Sequence, residues 1–230
     1  MAEPARKSEV LKSLGKVTRG LSALFWGLPL SMLFYVQGAR ADWMDALGAF
    51  AMLPPVIASG MLIYGLRQME NFQRQERIWR SALDRALFLA YVNAGLAPFL
   101  YWWHRMPFVP LYGAAVSFLA VGSLLFLARL NHLLQRLTAM LPDEALRQET
   151  LLFTKLNRTM LGFVITFLLV YLVLSPLHGL PRAAVLVLVR MESSGLWILL
   201  FLILMPLAMT MSLMWKIKEV IFSSVFEGES

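Results

Sequence analysis

Long apolar stretches constrain this chain of 230 residues more than any other feature of its sequence. Six stretches approach or reach the length of a membrane-spanning helix, at 21–37, 46–66, 86–103, 109–128, 160–177 and 196–215. A helix needs about 20 apolar residues to cross about 30 Å of hydrocarbon, because its backbone polar groups must be bonded within the segment. The composition agrees, with 59% hydrophobic and only 15% charged residues. We therefore predict an all-α, polytopic integral membrane protein.

The six spans divide the chain into alternating apolar and polar segments. They pair into three transmembrane hairpins, at 21–66, 86–128 and 160–215, while a shorter apolar piece at 184–189 is too brief to cross. Between and around the hairpins we predict a basic amino-terminal segment (1–20), an amphipathic linker (67–85), a helical hairpin (129–159) and a tail (216–230). The basic start resembles a signal peptide, but the first apolar run is long for one and no soluble domain follows it.

Basic residues are concentrated on alternate links between the spans. Of 21 Lys and Arg, five precede the first span, five lie at 67–85, five lie at 129–159 and two follow the sixth span. Links rich in Lys and Arg stay on the cytoplasmic side during insertion. We therefore expect both termini in the cytoplasm, in a bacterial inner (plasma) membrane. The arginines predicted to set this topology are Arg67, Arg74, Arg77, Arg80, Arg85, Arg129 and Arg136.

Several function classes lose support from the composition. The net charge of +7 does not indicate nucleic-acid binding, because the cations lie between apolar blocks rather than on one face with stacking aromatics. The absence of Cys excludes disulfides and thiolate metal sites. No P-loop, nucleophile elbow or HExxH pair occurs. A rim site of His104, His178 and Glu192 would draw on separate links without ligand spacing. We expect no catalytic residue, no metal and no cofactor.

The segment after the fourth span continues as an amphipathic helix. Apolar residues recur there at steps of three and four from Phe126 to Leu141, as on one helical face. Pro142 begins a second helix, with Asp143 and Glu144 in its first turn. At 1.5 Å per residue, the arms 129–141 and 142–158 are predicted to project about 20 Å into the cytoplasm. Residues of this helical cytoplasmic projection form the candidate partner surface: Leu133, Leu137, Leu141, Leu152 and Phe153.

The spans themselves contain few polar groups. No Asp, Glu, Lys, Arg or His lies well inside a span, so ion coupling has no obvious carrier. Residues that could kink helices or line a pathway are Pro54, Pro55, Asn93, Pro98 and Pro206. Small residues four apart predict close helix packing at three pairs, namely Ala90 with Ala94, Gly113 with Ser117, and Gly162 with Thr166.

The hairpins also show a weak resemblance to one another. Arg67, Gln73 and Arg74 after the first hairpin coincide in spacing with Arg129, Gln135 and Arg136 after the second. Three hairpins of one orientation would form a parallel repeat, as in some transporters. The alternative is that any chain obeying the positive-inside rule carries basic residues at these places, and the few identities favour that alternative.

These observations favour a non-catalytic subunit or scaffold of a membrane complex that presents its cytoplasmic helices to a partner. The expected partners are the lipid bilayer and a cytoplasmic or membrane protein, and a homo-oligomer is left open; nucleic acid is not expected. The alternative function is a small-solute transporter or channel with proline-kinked helices. A membrane-embedded enzyme is the least favoured class.

Overall fold

The structure is a computed structural model that describes residues 2–40, 42–73, 75–141, 143–174 and 196–226. Side chains are described for residues 12–40, 47–73, 75–141, 143–174 and 202–223. These residues form helices and turns without any strand, which confirms the all-α prediction. In chain order they are α1 (Ala2–Arg40), a 3-10 helix (Asp42–Met52), α2 (Leu53–Met69), α3 (Arg77–Leu96), α4 (Phe99–Arg105), α5 (Pro110–Ala139), α6 (Glu144–Leu174) and α7 (Leu196–Phe226).

Five helical stretches within the described residues are long and apolar enough to cross a membrane: Lys12–Arg40, Leu47–Met69, Arg77–Arg105, Pro110–Ala139 and Glu144–Leu174. They contain the first and third predicted spans, the second and fourth apart from residues 46 and 109, and most of the fifth, whose residues 175–177 lie outside the described residues. The sixth predicted span forms the first part of α7 but is not among the five, so it stays a prediction. The apolar piece 184–189 also lies outside the described residues.

Glycine and proline set the breaks between the helices. Gly48 interrupts the 3-10 helix with φ 55° and ψ −132°, a conformation that a side chain would strain. Pro54 and Pro55 follow at the start of α2, and Pro110 opens α5, where a missing N–H costs no helical bond. Pro98 precedes α4 and separates it from α3. Most of the candidate kink prolines therefore lie at helix boundaries.

The predicted linker 67–85 is mostly helical. α2 continues to Met69 and α3 begins at Arg77, so only a short turn connects them. Met69 and Trp79 are fully buried, and the Phe72 ring packs edge-to-face on Trp79 with a centroid distance of 5.9 Å. The apolar residues of this charged segment therefore hold two antiparallel helices together.

The predicted hairpin at 129–159 is formed by the end of α5 and the start of α6. Asp143 does not lie in the first turn as predicted. Its Oδ1 accepts the Leu146 N–H at 2.9 Å, as a capping residue does, and α6 begins at Glu144. Pro142 lies outside the described residues.

The six long helices pack in a ring. α1 packs on α2, α2 on α3, α3 on α5, α5 on α6, α6 on α7, and α7 returns to α1. Successive helices run in opposite directions, so one end of the ring collects the starts of α1, α3 and α6 and the ends of α2, α5 and α7. We call this the basic end, because it carries arginines such as Arg19, Arg67, Arg85, Arg129 and Arg158, all exposed.

The hairpin of α5 and α6 is not a free projection, and this corrects the predicted architecture. Its seam belongs to one core with residues of α1, α3 and α7. Fully buried members at this end include Leu130, Leu133, Leu134, Leu137, Trp79 and Ile217. The helical period indicated an apolar face, but it could not show how many helices of the same chain cover it.

The two tails compared in the predicted repeat differ in structure. Gln73 has a φ of 46° and lies in the turn after α2, whereas Gln135 lies within α5. Arg74 lies outside the described residues. The resemblance between these tails therefore does not extend to their backbone conformation at Gln73 and Gln135.

Candidate functional site

Three residues of the candidate partner surface are covered by the chain itself. Leu133 and Leu137 are fully buried and Leu141 is 6% exposed, so these three must be removed from that surface. They share a core cluster with residues of α3 and α7, the helices that pack beside α5 at this end. Of the five residues of the candidate partner surface, only Leu152 and Phe153 on α6 remain accessible.

The start of α6 carries an exposed apolar strip. Leu152 is 70% exposed, Leu156 is 47% exposed and Leu151 is 42% exposed. Leu152 and Leu156 lie one helical turn apart, and Leu151 lies beside them. We call these three residues the α6 strip. Of the predicted surface residues, Leu152 belongs to it, while Phe153 is half-buried.

Contacts with α7 fix which side of α6 is exposed. Lys216 of α7 forms an ion pair with Glu149. Its Nζ also lies 5.7 Å from the centroid of the Phe153 ring, within the range of a cation–π contact. These contacts turn Glu149 and Phe153 toward α7, while the three leucines of the α6 strip stay exposed.

Charged groups surround the α6 strip along the same helix. Arg147 and Glu144 form an ion pair at 2.9 Å, and Lys155 and Arg158 are exposed. Such charges are typical of a helix outside the hydrocarbon layer. Exposed leucines on such a segment form a surface suited to binding rather than to chemistry.

A buried polar cluster joins α5, α6 and α7. Asn131 Nδ2 donates to Thr210 Oγ1 at 2.9 Å, and Asn157 Nδ2 donates to the same oxygen at 3.1 Å. Thr210 Oγ1 donates to the Pro206 carbonyl at 2.7 Å, and Asn157 Nδ2 reaches that carbonyl at 3.2 Å. We call Asn131, Asn157, Thr210 and the Pro206 carbonyl the polar cluster.

The polar cluster was missed in part by sequence reasoning. Thr210 stands out as a polar residue within a predicted span, but Asn131 and Asn157 fall in the segment predicted to project into water. Both are almost completely buried, at 3% and 1% exposed. The available signal was that Asn131 shares the helical face of Leu127 and Leu134, where a polar residue needs a partner inside the protein.

The remaining pathway candidates lie apart. Pro206 is inside α7, where its carbonyl accepts bonds of the polar cluster. Pro55 is buried and Pro54 and Pro98 are half-buried at helix starts, away from that cluster. Asn93 on α3 is 4% exposed, and its Oδ1 has no hydrogen-bond partner among the described residues.

Asn93 lines a cavity of about 280 Å³ that residues of all six long helices surround. Its walls are almost entirely apolar, with representatives such as Leu28, Leu124, Val164 and Leu207. Tyr35 also lines it, but its hydroxyl is satisfied by Ser59 at 2.7 Å. The cavity can hold an apolar group, with Asn93 as a hydrogen-bonding neighbour.

Six of the seven predicted topology-setting arginines are described, and these six lie at the basic end. Arg67, Arg77, Arg80, Arg85 and Arg129 are exposed. Arg136 is half-buried, and Arg74 lies outside the described residues. Arg67 Nε donates to the Tyr91 hydroxyl at 2.8 Å, which links α2 to α3.

The structure describes only one of the three rim residues. His178 and Glu192 lie outside the described residues, and His104 is the last but one residue of α4. Among the residues that were described, no three His, Asp or Glu side chains are grouped as metal ligands would be.

A comparison of the chain with known protein families, with curated proteins and with solved structures finds no match.

Proposed function

We propose that this protein is a non-catalytic subunit or scaffold of a membrane complex, and that the α6 strip binds its partner. The observation that carries the proposal is the exposure of Leu151, Leu152 and Leu156 on a helical segment that also carries charged residues. Lipid tails would cover exposed leucines deep in a bilayer, but they do not cover leucines that lie among charges at the membrane surface. A second protein surface would cover them.

The proposal includes an orientation in the membrane. We infer that the basic end faces the cytoplasm of a bacterial cell and that both termini lie there. Its support is that 17 of the 21 Lys and Arg fall on links assigned to this side, since the other four are Arg40, Arg105, Arg182 and Arg190. The α6 strip would then be offered to a cytoplasmic protein or to the cytoplasmic part of a membrane protein.

Cysteine labelling tests the orientation without background, because the chain has no Cys. Gln75 lies exposed in the turn between α2 and α3, and Pro107 lies exposed between α4 and α5 at the other end. In intact cells, a thiol reagent that cannot cross the membrane is expected to modify Pro107→Cys and to spare Gln75→Cys. Both should react after the cells are opened. Labelling of Gln75→Cys in intact cells would reverse the orientation.

Photocrosslinking tests the α6 strip. A photoreactive amino acid replaces Leu152 in the native host, and the membranes are irradiated before extraction. We expect one discrete protein adduct larger than the 26.1 kDa chain, because a bound partner covers this side chain. An adduct of two identical chains would identify the partner as a second copy.

Phe118 provides the matched control. It is 71% exposed on α5, nearly the same as the 70% of Leu152, but it lies within the fourth predicted span. The photoreactive residue at 118 should crosslink to lipid and give no protein adduct. The proposal fails if position 152 gives no protein adduct, or if positions 118 and 152 give the same one.

Solute transport is the second candidate function, and the cavity beside Asn93 is the observation in its favour. It would be supported by solute flux in proteoliposomes that falls when Asn93 is replaced by leucine. Flux that is insensitive to this change would remove the cavity from the pathway.

A further inference from the structure

The basic end carries a second surface, distinct from the α6 strip, between the outer sides of α3 and α5. A hollow of about 280 Å³ lies there. Its residues are Arg77, Ile78, Ser81, Ala82, Arg85, Arg129 and His132. We call it the α3–α5 hollow. It combines three guanidinium groups, one imidazole and one hydroxyl, and it contains no carboxylate.

The arginines of the α3–α5 hollow form no ion pair with any other described residue. Within the described part of the chain, no carboxylate lies at ion-pair distance from Arg77, Arg85 or Arg129. Three guanidinium groups that converge without a counter-ion repel one another and favour an anion between them. Guanidinium groups match phosphate oxygens especially well, because their N–H groups can bind two oxygens at once.

The start of α3 adds to the positive potential. Arg77 is the first residue of this 20-residue helix, whose first backbone N–H groups point toward its amino-terminal end. Glu76 precedes the helix without making a side-chain cap. A neighbouring hollow along α3 is lined by Arg77, Arg80 and Arg85 together with Asp84, and this carboxylate makes it less suited to an anion. The hollow shared with α5 is therefore the favoured one.

An exposed apolar surface continues from the α3–α5 hollow along both helices. On α3, Phe88 follows Arg85 by three residues and is 67% exposed. On α5, Leu125 precedes Arg129 by four residues and is 38% exposed, and Phe118 lies two turns further away. These steps keep each series on one helical face. The cations therefore lie at one end of an exposed apolar surface that extends into the predicted spans.

We propose that the α3–α5 hollow binds the phosphate of an acidic phospholipid headgroup, with the acyl chains lying along Phe88 and Leu125. A phospholipid satisfies both halves of this surface, since its phosphate meets the arginines and its chains cover the exposed apolar side chains. A free phosphate would satisfy only the first half. Basic pockets between membrane helices on the cytoplasmic side are suited to anionic headgroups.

The binding of fluorescent phosphatidylglycerol to the purified full chain in neutral detergent tests the proposal. We expect Arg85→Gln/Arg129→Gln to raise the apparent Kd by about 25-fold, because each basic side chain near a headgroup increases the affinity by a factor of about five. The variant Arg85→Lys/Arg129→Lys keeps both charges but not the paired N–H groups of arginine, so it should bind more weakly than the unmodified chain and more tightly than the Gln variant. Fluorescent phosphatidylcholine, which has no net charge, should bind weakly to every variant.

The matched control is Arg19→Gln/Arg158→Gln. It removes two exposed arginines from the same end, on α1 and α6, so both double variants lower the net charge from +7 to +5. The control should bind phosphatidylglycerol as tightly as the unmodified chain. An equal loss in both double variants would show attraction to net charge only and would overturn the site. Displacement of the lipid by inorganic phosphate as readily as by unlabelled phosphatidylglycerol would show a free-anion site and would also overturn the proposal.

A folding failure can be separated from a binding failure. Since both arginines are exposed and no ion pair joins either of them to a described residue, thermal unfolding in detergent should be the same for the Arg85→Gln/Arg129→Gln variant and the unmodified chain. If the Arg85→Gln/Arg129→Gln variant unfolds at a lower temperature, the Arg85→Lys/Arg129→Lys variant provides the test. Binding of phosphatidylglycerol by the Lys variant supports the site. Loss of that binding in a folded Lys variant overturns it. The α6 strip is unchanged in all of these variants, so this test is independent of the proposed partner.

Discussion

Replacing Gly20 by valine is expected to separate α1 from α2 and to destabilise the chain by about 3 kcal/mol, the upper range for an overpacked site. A Cβ at Gly20 would lie 2.6 Å from the carbonyl oxygen of Gly65, and a Cβ at Gly65 would lie 2.8 Å from the carbonyl oxygen of Gly20. Each obstacle is backbone, which cannot move as a flexible side chain can. The two helices therefore have to part.

Two other glycines provide controls for this experiment. Gly15 on α1 and Gly60 on α2 would have nothing within 4 Å of an added Cβ, so Gly15→Val and Gly60→Val should not destabilise the chain, since valine is a better helix former than glycine. Gly27→Ala should be intermediate, because its nearest obstacle is the movable Leu62 side chain at 2.9 Å. Unfolding in detergent by heat or denaturant measures the order. Equal stability of Gly20→Val and Gly15→Val would contradict the close approach of the two backbones.

The close approach of the α1 and α2 backbones shows what sequence reasoning could not locate. The predicted pairs of small residues were read within single helices, whereas this backbone contact joins Gly20 and Gly65 from two helices. Gly162 was expected to allow close packing, yet it is exposed, and a Cβ added there would meet no atom within 4 Å. A spacing of four identifies a flat helical face, but it does not identify the helix that packs on it.

Apolar length was more informative. It placed five helical stretches correctly, because a run of apolar residues depends on the local sequence alone. The roles of single side chains depend on neighbours far along the chain. Leu133 and Leu152 both lie on predicted apolar faces, yet one is fully buried and the other is 70% exposed. Lys216, which is 64 positions from Leu152, helps to orient α6 and so contributes to that difference.

Replacing Thr210 by valine is expected to destabilise the packing of α7 on α5 and α6 by about 2 kcal/mol. Valine has nearly the same shape, so no cavity forms, but Asn131 and Asn157 each lose an acceptor for a side-chain N–H. A buried polar group left without a partner costs about 1–3 kcal/mol. Pairs between membrane helices contribute less, about 0.6 kcal/mol on average. Because two amides lose the same oxygen at once, the larger range applies.

Thr159→Val on α6 is the matched control for the change at position 210. Thr159 is exposed, and its hydroxyl donates only to the Lys155 carbonyl one turn earlier, at 3.0 Å. The same substitution there should leave the free energy of unfolding nearly unchanged. A loss at position 159 equal to that at position 210 would show that the loss does not come from the polar cluster; helix propensity is nearly the same for threonine and valine.

A triple variant separates the polar cluster from simple packing. Asn131→Leu, Asn157→Leu and Thr210→Val together remove every side chain of the cluster, so no amide is left without its partner. The Oδ1 of Asn157, which already has no hydrogen-bond partner among the described residues, is removed as well. Replacement of a whole polar group by apolar side chains of similar size is often close to neutral. The triple variant should therefore be more stable than Thr210→Val alone. If it is less stable, the three side chains contribute through shape, and the unpartnered amides do not explain the loss.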